Sequence, residues 1–215
     1  MTHPGRFITL DGPGGVGKST TLATLAGLLR EQGESVHTTT EPSTRPIGQF
    51  TRANADRVHG HALACLVAAD RYDHIRHELR PHLDRGDTVL CDRYLASTLV
   101  VQRLDDVPEP FLLDLNADII LPDLAVILTA EPAVITSRLR ERGAHHRFER
   151  DPVIPAREVD LYQQAARTLR GMGVAVLTLD NGALTPEQAA EQIRGALTSP
   201  PPRTSGDASA TTGPT

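Results

Sequence analysis

Short apolar runs alternate along the chain with longer stretches in which apolar residues return every third or fourth position. The runs are rich in β-favouring residues and predict strands at 7–10, 88–91, 124–129 and 174–179, with a weaker one at 35–39. The stretches between them predict helices. The first follows a glycine-rich loop and carries Leu22, Leu25, Leu28 and Leu29 on one face, with Gly33 just past its end. Others are predicted at 47–58, from 61 to before Gly86, from just after residue 94 through 102, and briefly after Pro108 and Pro110. The last three fall at 132–142, with Pro132 in the first turn, at 156–170 and at 186–197. This alternation is that of an α/β fold, a parallel sheet flanked by helices on both faces. One domain over 1–198 accounts for the pattern, whereas 199–215 has no apolar period and reads as a disordered tail.

Composition narrows the classes. A length of 215 residues suits one domain with a substantial core, and a net charge of −5 leaves no footprint for nucleic acid. No apolar run is long enough to span a membrane, and the first residues lack the pattern of a signal peptide, so a cytoplasmic location is expected. The two cysteines, Cys65 and Cys91, both lie in apolar runs and are expected to be buried thiols.

The strand at 7–10 breaks into Gly12, Pro13, Gly14, Gly15, Val16, Gly17, Lys18, Ser19 and Thr20, a match to the phosphate-binding loop G-x-x-x-x-G-K-[ST] between a strand and a helix. Glycines let the backbone curl and aim its N–H groups at phosphate oxygens, and the helix N-terminus adds partial positive charge. Lys18 can reach the β- and γ-phosphates of ATP, and the Ser19 hydroxyl is a ligand for Mg²⁺. Lys18 is also the only lysine beside twenty-one arginines. A compact ammonium is kept at the one position where a wide guanidinium would not fit.

Ligands of open α/β sheets collect at the carboxyl ends of the strands, where Glu41-Pro42 and Asp92-Arg93-Tyr94 fall. Asp92 is placed to meet Mg²⁺ beside Ser19, and Arg93 to clamp a phosphate in bidentate fashion. A second constellation runs from Ser137 to Arg150, with arginines at 138, 140, 142, 147 and 150 against Glu141 and Glu149. Such a segment, with Gly143 as a hinge, reads as a lid near 138–151 that closes over the phosphates. A GTPase switch is set aside because its guanine motif needs a second lysine. An ATPase motor would want a glutamate where Arg93 stands.

These motifs together resemble the thymidylate kinase family of P-loop nucleoside monophosphate kinases, over about residues 5–198. Phe7 to Thr20 resembles its first strand and phosphate loop, and Thr40-Glu-Pro-Ser-Thr-Arg-Pro-Ile-Gly48 its second-strand motif. Ala68-Ala-Asp-Arg-Tyr72, Gly86 to Ser97, Pro122-Asp-Leu124 and Arg140 to Glu149 are similar as well. The resemblance implies a P-loop NTPase fold with a five-stranded parallel sheet, ATP with Mg²⁺, a nucleotide acceptor and a homodimer. Arg93 would hold the acceptor phosphate, Arg71 would hydrogen-bond the acceptor base, and Glu41 and Thr98 would line the acceptor site. Arg142 and Arg147 would be lid arginines, and the turn from Asn181 to Ala183 would lie against adenine. The sequence departs from the family in that site. Gly14 replaces an acid in the phosphate loop, Thr40 replaces an arginine for which Arg45 could substitute, and Val67 and Val101 replace aromatics against the base and sugar. The expected activity is phosphoryl transfer from ATP to dTMP or a related nucleotide, with weakened or altered preference for dTMP. A kinase on the same scaffold with another acceptor stays open.

Overall fold

The computed structural model describes residues 4–142 and 154–198. The expected tail, Arg147 and most of the expected lid lie outside the described residues, and of Arg142 only the backbone is described.

Five strands form one all-parallel sheet: β1 (Arg6–Asp11), β2 (Val36–Thr40), β3 (Thr88–Asp92), β4 (Leu124–Thr129) and β5 (Ala175–Asp180). Their spatial order is β2-β3-β1-β4-β5. The chain leaves β1 toward one side, returns, and fills the other, so the order reverses at β1, where an open α/β sheet offers a crevice for ligands. Register carries this to single residues. Leu10 pairs with Asp92, and Thr40 pairs with Asp92 from the other side, so the phosphate loop, Asp92 and Glu41 emerge along one edge.

The strands alternate their side chains between two cores, as period two requires. Phe7, Val89, Cys91, Ala125 and Ile127 face a cluster with α3 (Gly60–His74), α5 (Leu95–Leu104) and α8 (Ile154–Gly171). Ile8, Leu10, Leu90, Val126 and Leu128 face the other, with α1 (Lys18–Glu31), α7 (Pro132–Arg142) and α9 (Pro186–Thr198). β2 is one of the two edge strands, with no residue fully buried, which is why its sequence is threonine-rich and its apolar pattern weak. Further short helices are α2 (Pro46–Asn54) and α6 (Glu109–Leu115). Among the described residues, no helix is long and apolar enough to cross a membrane.

The helix expected from 61 to before Gly86 is helical throughout, but after α3 its ladder widens into a π-helical stretch, Ile75–Leu79, before α4 (Arg80–Asp84). One expectation is corrected. Cys91 is buried, but Cys65 is exposed. On α3 the inward face is Leu63, Ala64, Ala68 and Arg71, and Cys65 falls outside that stripe although its neighbours are apolar.

Asp11, the last residue of β1, ties the sheet to α5. It is wholly buried, and its Oδ1 accepts from the Tyr94 amide at 2.9 Å, the Ser97 amide at 2.9 Å and the Ser97 hydroxyl at 2.7 Å. A carboxylate at this position satisfies orphan amides at the helix start and favours its dipole. Asp11→Ala would leave those donors buried without a partner, at a cost of about 2–3 kcal/mol. For a chain of this size the melting temperature should fall by about 5–10 °C, followed by circular dichroism; a fall under about 2 °C would contradict the anchoring role.

Candidate active site

The phosphate loop is held by backbone conformations that favour glycine. Gly12, Gly15 and Gly17 have φ of 147°, 74° and 99°. A side chain at Gly12 would also press into the Leu128 carbonyl, and one at Gly17 would meet Asn181 Nδ2. Lys18 begins α1 and folds back over the loop, donating from Nζ to the Gly12 carbonyl at 2.9 Å and the Pro13 carbonyl at 2.8 Å. Burial, with the Arg93 charge beside it, lowers the ammonium to about 7, although Asp92, Glu158 and Asp11 pull the other way. A phosphate against this nitrogen would restore its charge, so the loop is poised for an anion.

One residue further on, the Ser19 hydroxyl donates to Asp92 Oδ2 at 2.6 Å. The second Asp92 oxygen, Oδ1, is buried with no hydrogen-bond partner among the described residues. A hydroxyl beside a carboxylate with an unsatisfied oxygen, at the mouth of a phosphate loop, is a donor set that fits Mg²⁺ sharing phosphate oxygens. Among the described residues, no cluster of three His, Cys, Asp or Glu side chains could hold a metal alone.

Arg93 turns the chain from β3 into α5 with φ of 72°, a conformation uncommon for a residue with a side chain. Its amide donates to the Leu10 carbonyl at 2.9 Å, and its own carbonyl accepts from Cys91 Sγ at 3.1 Å. Strain held in this way at a strand end is a feature of functional turns.

Beside the phosphate loop lies a cavity of about 640 Å³ lined by residues of the β2 loop, α2, α3 and α5. The structure brings together there Glu41, Val67, Arg71, Arg93, Thr98 and Val101. Arg71 is 1 % exposed and reaches the wall as part of a network. Its Nε donates to Glu41 Oε2 at 2.8 Å, Nη1 to Asn116 Oδ1 at 2.6 Å and Nη2 to Thr98 Oγ1 at 2.8 Å. The Tyr94 ring lies beneath, with its centroid 4.8 Å from Cζ. The apolar walls are aliphatic, with Leu63, Val67 and Val101, and Tyr94 is the one aromatic among the lining residues.

Arg45 is not among the lining residues. Its Nε donates to Asp73 Oδ2 at 2.5 Å, and this bond raises the Arg45 pKa and lowers that of Asp73. The expected substitution of Arg45 for Thr40 therefore has no support in the geometry; a carboxylate on α3 takes the guanidinium first. The turn at Asn181 packs on the phosphate loop, as Nδ2 donates to the Val16 carbonyl at 2.7 Å. Arg138 reaches the same place, with Nη1 3.5 Å from the Val16 carbonyl and 3.4 Å from that of Asn181.

Three residues were not legible as site residues. Asn116 helps fix Arg71, Asp11 anchors α5, and Gln102 lines the cavity with a buried Oε1 that has no partner among the described residues. Gln102 lies one helical turn after Thr98, a spacing that could have pointed to it.

The thymidylate kinase family model matches residues 10–173. The chain is 39% identical to the thymidylate kinase of Clavibacter sepedonicus over 181 residues, 80% of this chain and 82% of that protein. It is 36% identical to the probable thymidylate kinase of Caldivirga maquilingensis over 166 residues, 75% and 80% of the two chains. With the thymidylate kinase of Deinococcus radiodurans it shares 39% identity over 153 residues, 67% and 74% of the two. The phosphate loop, the Ser19–Asp92 pair and the cavity arginines Arg71 and Arg93 all lie within the matched residues, and the chain belongs to the thymidylate kinase family.

Proposed function

We propose that the enzyme transfers the γ-phosphoryl group of ATP to dTMP, forming dTDP and ADP. The observation that carries this reading is the cavity lined by Arg71 and Arg93 at the same sheet edge as the phosphate loop. Arg93 holds the acceptor phosphate so that one of its oxygens faces the γ-phosphorus. That oxygen forms the new bond as the bond to the β,γ-bridging oxygen breaks, and ADP carries the electron pair away. Lys18 leaves the Gly12 and Pro13 carbonyls for the β- and γ-phosphates and follows the charge as it moves, so its contribution is greatest in the transition state. Ser19 and Asp92 would hold Mg²⁺, which neutralises charge on the phosphate oxygens. Among the lining residues, Arg71, Thr98 and Gln102 are the polar groups for the base edge, and Val67 and Val101 are aliphatic wall. Arg142 and Arg147 belong to a lid that closes over the phosphates. A homodimer, as the family resemblance implies, and the cytoplasmic location expected from the sequence complete the reading.

A coupled ADP-release assay with ATP and a panel of nucleoside monophosphates tests it: dTMP should be the best acceptor, and no turnover with dTMP would overturn the proposal. Lys18→Ala should lower kcat by at least about a hundredfold, since it removes charge stabilisation made mainly in the transition state. Near-normal activity in that variant would sink the donor-site assignment. Arg142→Ala and Arg147→Ala should each lower kcat about a hundredfold, the scale of one lost transition-state donor. Unchanged rates in both would make the segment a solvated surface. Because the one lining ring, Tyr94, is buried against Arg71 and the walls are otherwise aliphatic, Val67→Phe should lower the dTMP KM by about tenfold, using part of the ~1–3 kcal/mol that aromatic stacking gives. A rise in KM would show the space to be used otherwise.

A further inference from the structure

Behind the acceptor cavity runs a file of alternating charges, of which the chemistry above uses only Arg71. It begins at Arg71, whose guanidinium is held by Glu41 Oε2. The other Glu41 oxygen, Oε1, lies 3.2 Å from Nδ1 of His74, a residue with no exposed surface. On the opposite side of the ring, His74 Nε2 lies 2.9 Å from Thr39 Oγ1 and 3.6 Å from Glu78 Oε2. Glu78 is in turn paired with His37 Nε2 at 2.9 Å, and the His37 ring stacks on His82 with centroids 3.5 Å apart.

From this geometry we propose that His74 is a positioning residue for the acceptor: gripped between Glu41 and Glu78, it fixes the Glu41 carboxylate and, through it, the Arg71 guanidinium at the cavity wall. The inference rests on the reading of this cavity as the acceptor site. Nδ1 faces the Glu41 carboxylate, and Nε2 faces the Thr39 hydroxyl with the Glu78 carboxylate beyond it; the hydroxyl gives its proton to Glu78 and so accepts from Nε2, which satisfies both ring nitrogens as N–H donors. The ring is then an imidazolium, and it balances a file that runs plus, minus, plus, minus from Arg71 to Glu78. Without it, Glu41 would have one positive partner and be free to turn toward the cavity.

The groups facing His74 come from every element packed on it. β2 contributes Thr39 and, beyond Glu78, His37; the loop after β2 contributes Glu41; and the π-helical stretch contributes Glu78. On α3 itself, Asp73 senses the His74 charge but is held by Arg45, and Arg71 lies across Glu41. Cys91 and Tyr94, which sense Glu41, are pushed up by burial and stay neutral. Burial opposes the charge on His74, but its hydrogen bonds to Glu41 and Glu78 outweigh this and raise the pKa to about 9. A raised pKa means that the charged file is intact at and below neutral pH and is lost as pH climbs through about 9.

The test is steady-state kinetics of the full chain with ATP and dTMP, wild type against His74→Asn, across pH 7 to 10. At pH 7.5 the variant should raise the dTMP KM by about tenfold, with kcat changed less than about threefold and the ATP KM unchanged. In the wild type the dTMP KM should climb toward pH 10, and this rise should be absent from His74→Asn. In Glu78→Gln, which removes one of the two carboxylates, it should begin about one pH unit lower. Because dTMP itself ionises in alkali, the diagnostic is the difference between the proteins. Equal changes in both KM values, or an alkaline rise that survives in His74→Asn, would overturn the proposal. Should His74→Asn fail to fold, ¹⁵N shifts of the wild-type ring decide: two protonated nitrogens at pH 7.5 support it, and a neutral tautomer overturns it. A wild type inactive on dTMP would sink the acceptor reading instead, and the ring shifts would still decide the state of His74.

Discussion

The two halves of the site share one buried carboxylate. Asp11 closes β1, its backbone runs straight into the phosphate loop, and its side chain caps the helix that carries Ser97, Thr98, Val101 and Gln102. The donor loop and the acceptor wall are therefore fixed to the same atoms. Position matters more than any single contact in phosphoryl transfer, because misplacement by a fraction of an ångström lengthens the path of the migrating group. The anchor is also protected. Asp11 is wholly buried behind the loop, so neither solvent nor ligand competes for the carboxylate oxygen that holds α5.

Charge organises the rest. Arg71 and Lys18 are buried, and Arg93 is half-buried beside them, in a region that also holds Asp11, Glu41, Asp92 and Glu158. Acids and bases in such a place must be paired or pay heavily in lost hydration. Arg71 is paired, with Glu41. Lys18 instead bonds two loop carbonyls and has its pKa lowered to about 7, which leaves it the cation most in need of an anion. The sole lysine of the chain is thus where a small, titratable cation can sit among carbonyls without the forked demands of a guanidinium.

The donor half was legible in the sequence because its determinants are local. A strand, three glycines with positive φ, a lysine and a helix lie within consecutive residues, and backbone conformation follows from residue type at short range. The central strands β1, β3 and β4 were legible for a similar reason, since burial on both faces leaves an unbroken apolar run, whereas β2 at the edge was read only weakly. The acceptor half was read only in part. Its lining residues could be matched by position, but their partners come from elements far apart in sequence, as Arg71 shows with Glu41, Asn116 and Thr98. Arg45 was misplaced because nearness to Glu41 along the chain says nothing of Asp73, which α3 brings up from 28 residues away. Cys65 was misread because apolar neighbours in sequence are not neighbours on a helix face. The π-helical stretch Ile75–Leu79 lies just before Pro81, which has no N–H to give the carbonyl four residues back, a marker that apolar periodicity alone passes over.

This contrast has a consequence for how the acceptor site can vary. The donor site is built mainly from backbone: glycine conformations, loop carbonyls and a helix start, none of which tolerates much change. The acceptor site is built from side chains projecting from α3 and α5, whose backbones are set by the core beneath them. Substitution at Val67 or Val101 changes the width of the cavity without disturbing the sheet edge, because both are half-buried and lie on its wall. The polar positions are not free in the same way. Arg71 is tied to Glu41, and Glu41 to His74, so a change at any one of them leaves a buried charge without its counterpart. On the proposed reading of this cavity, acceptor preference is free to drift through the aliphatic walls, while Arg71 is kept in place by Glu41 and His74 behind it.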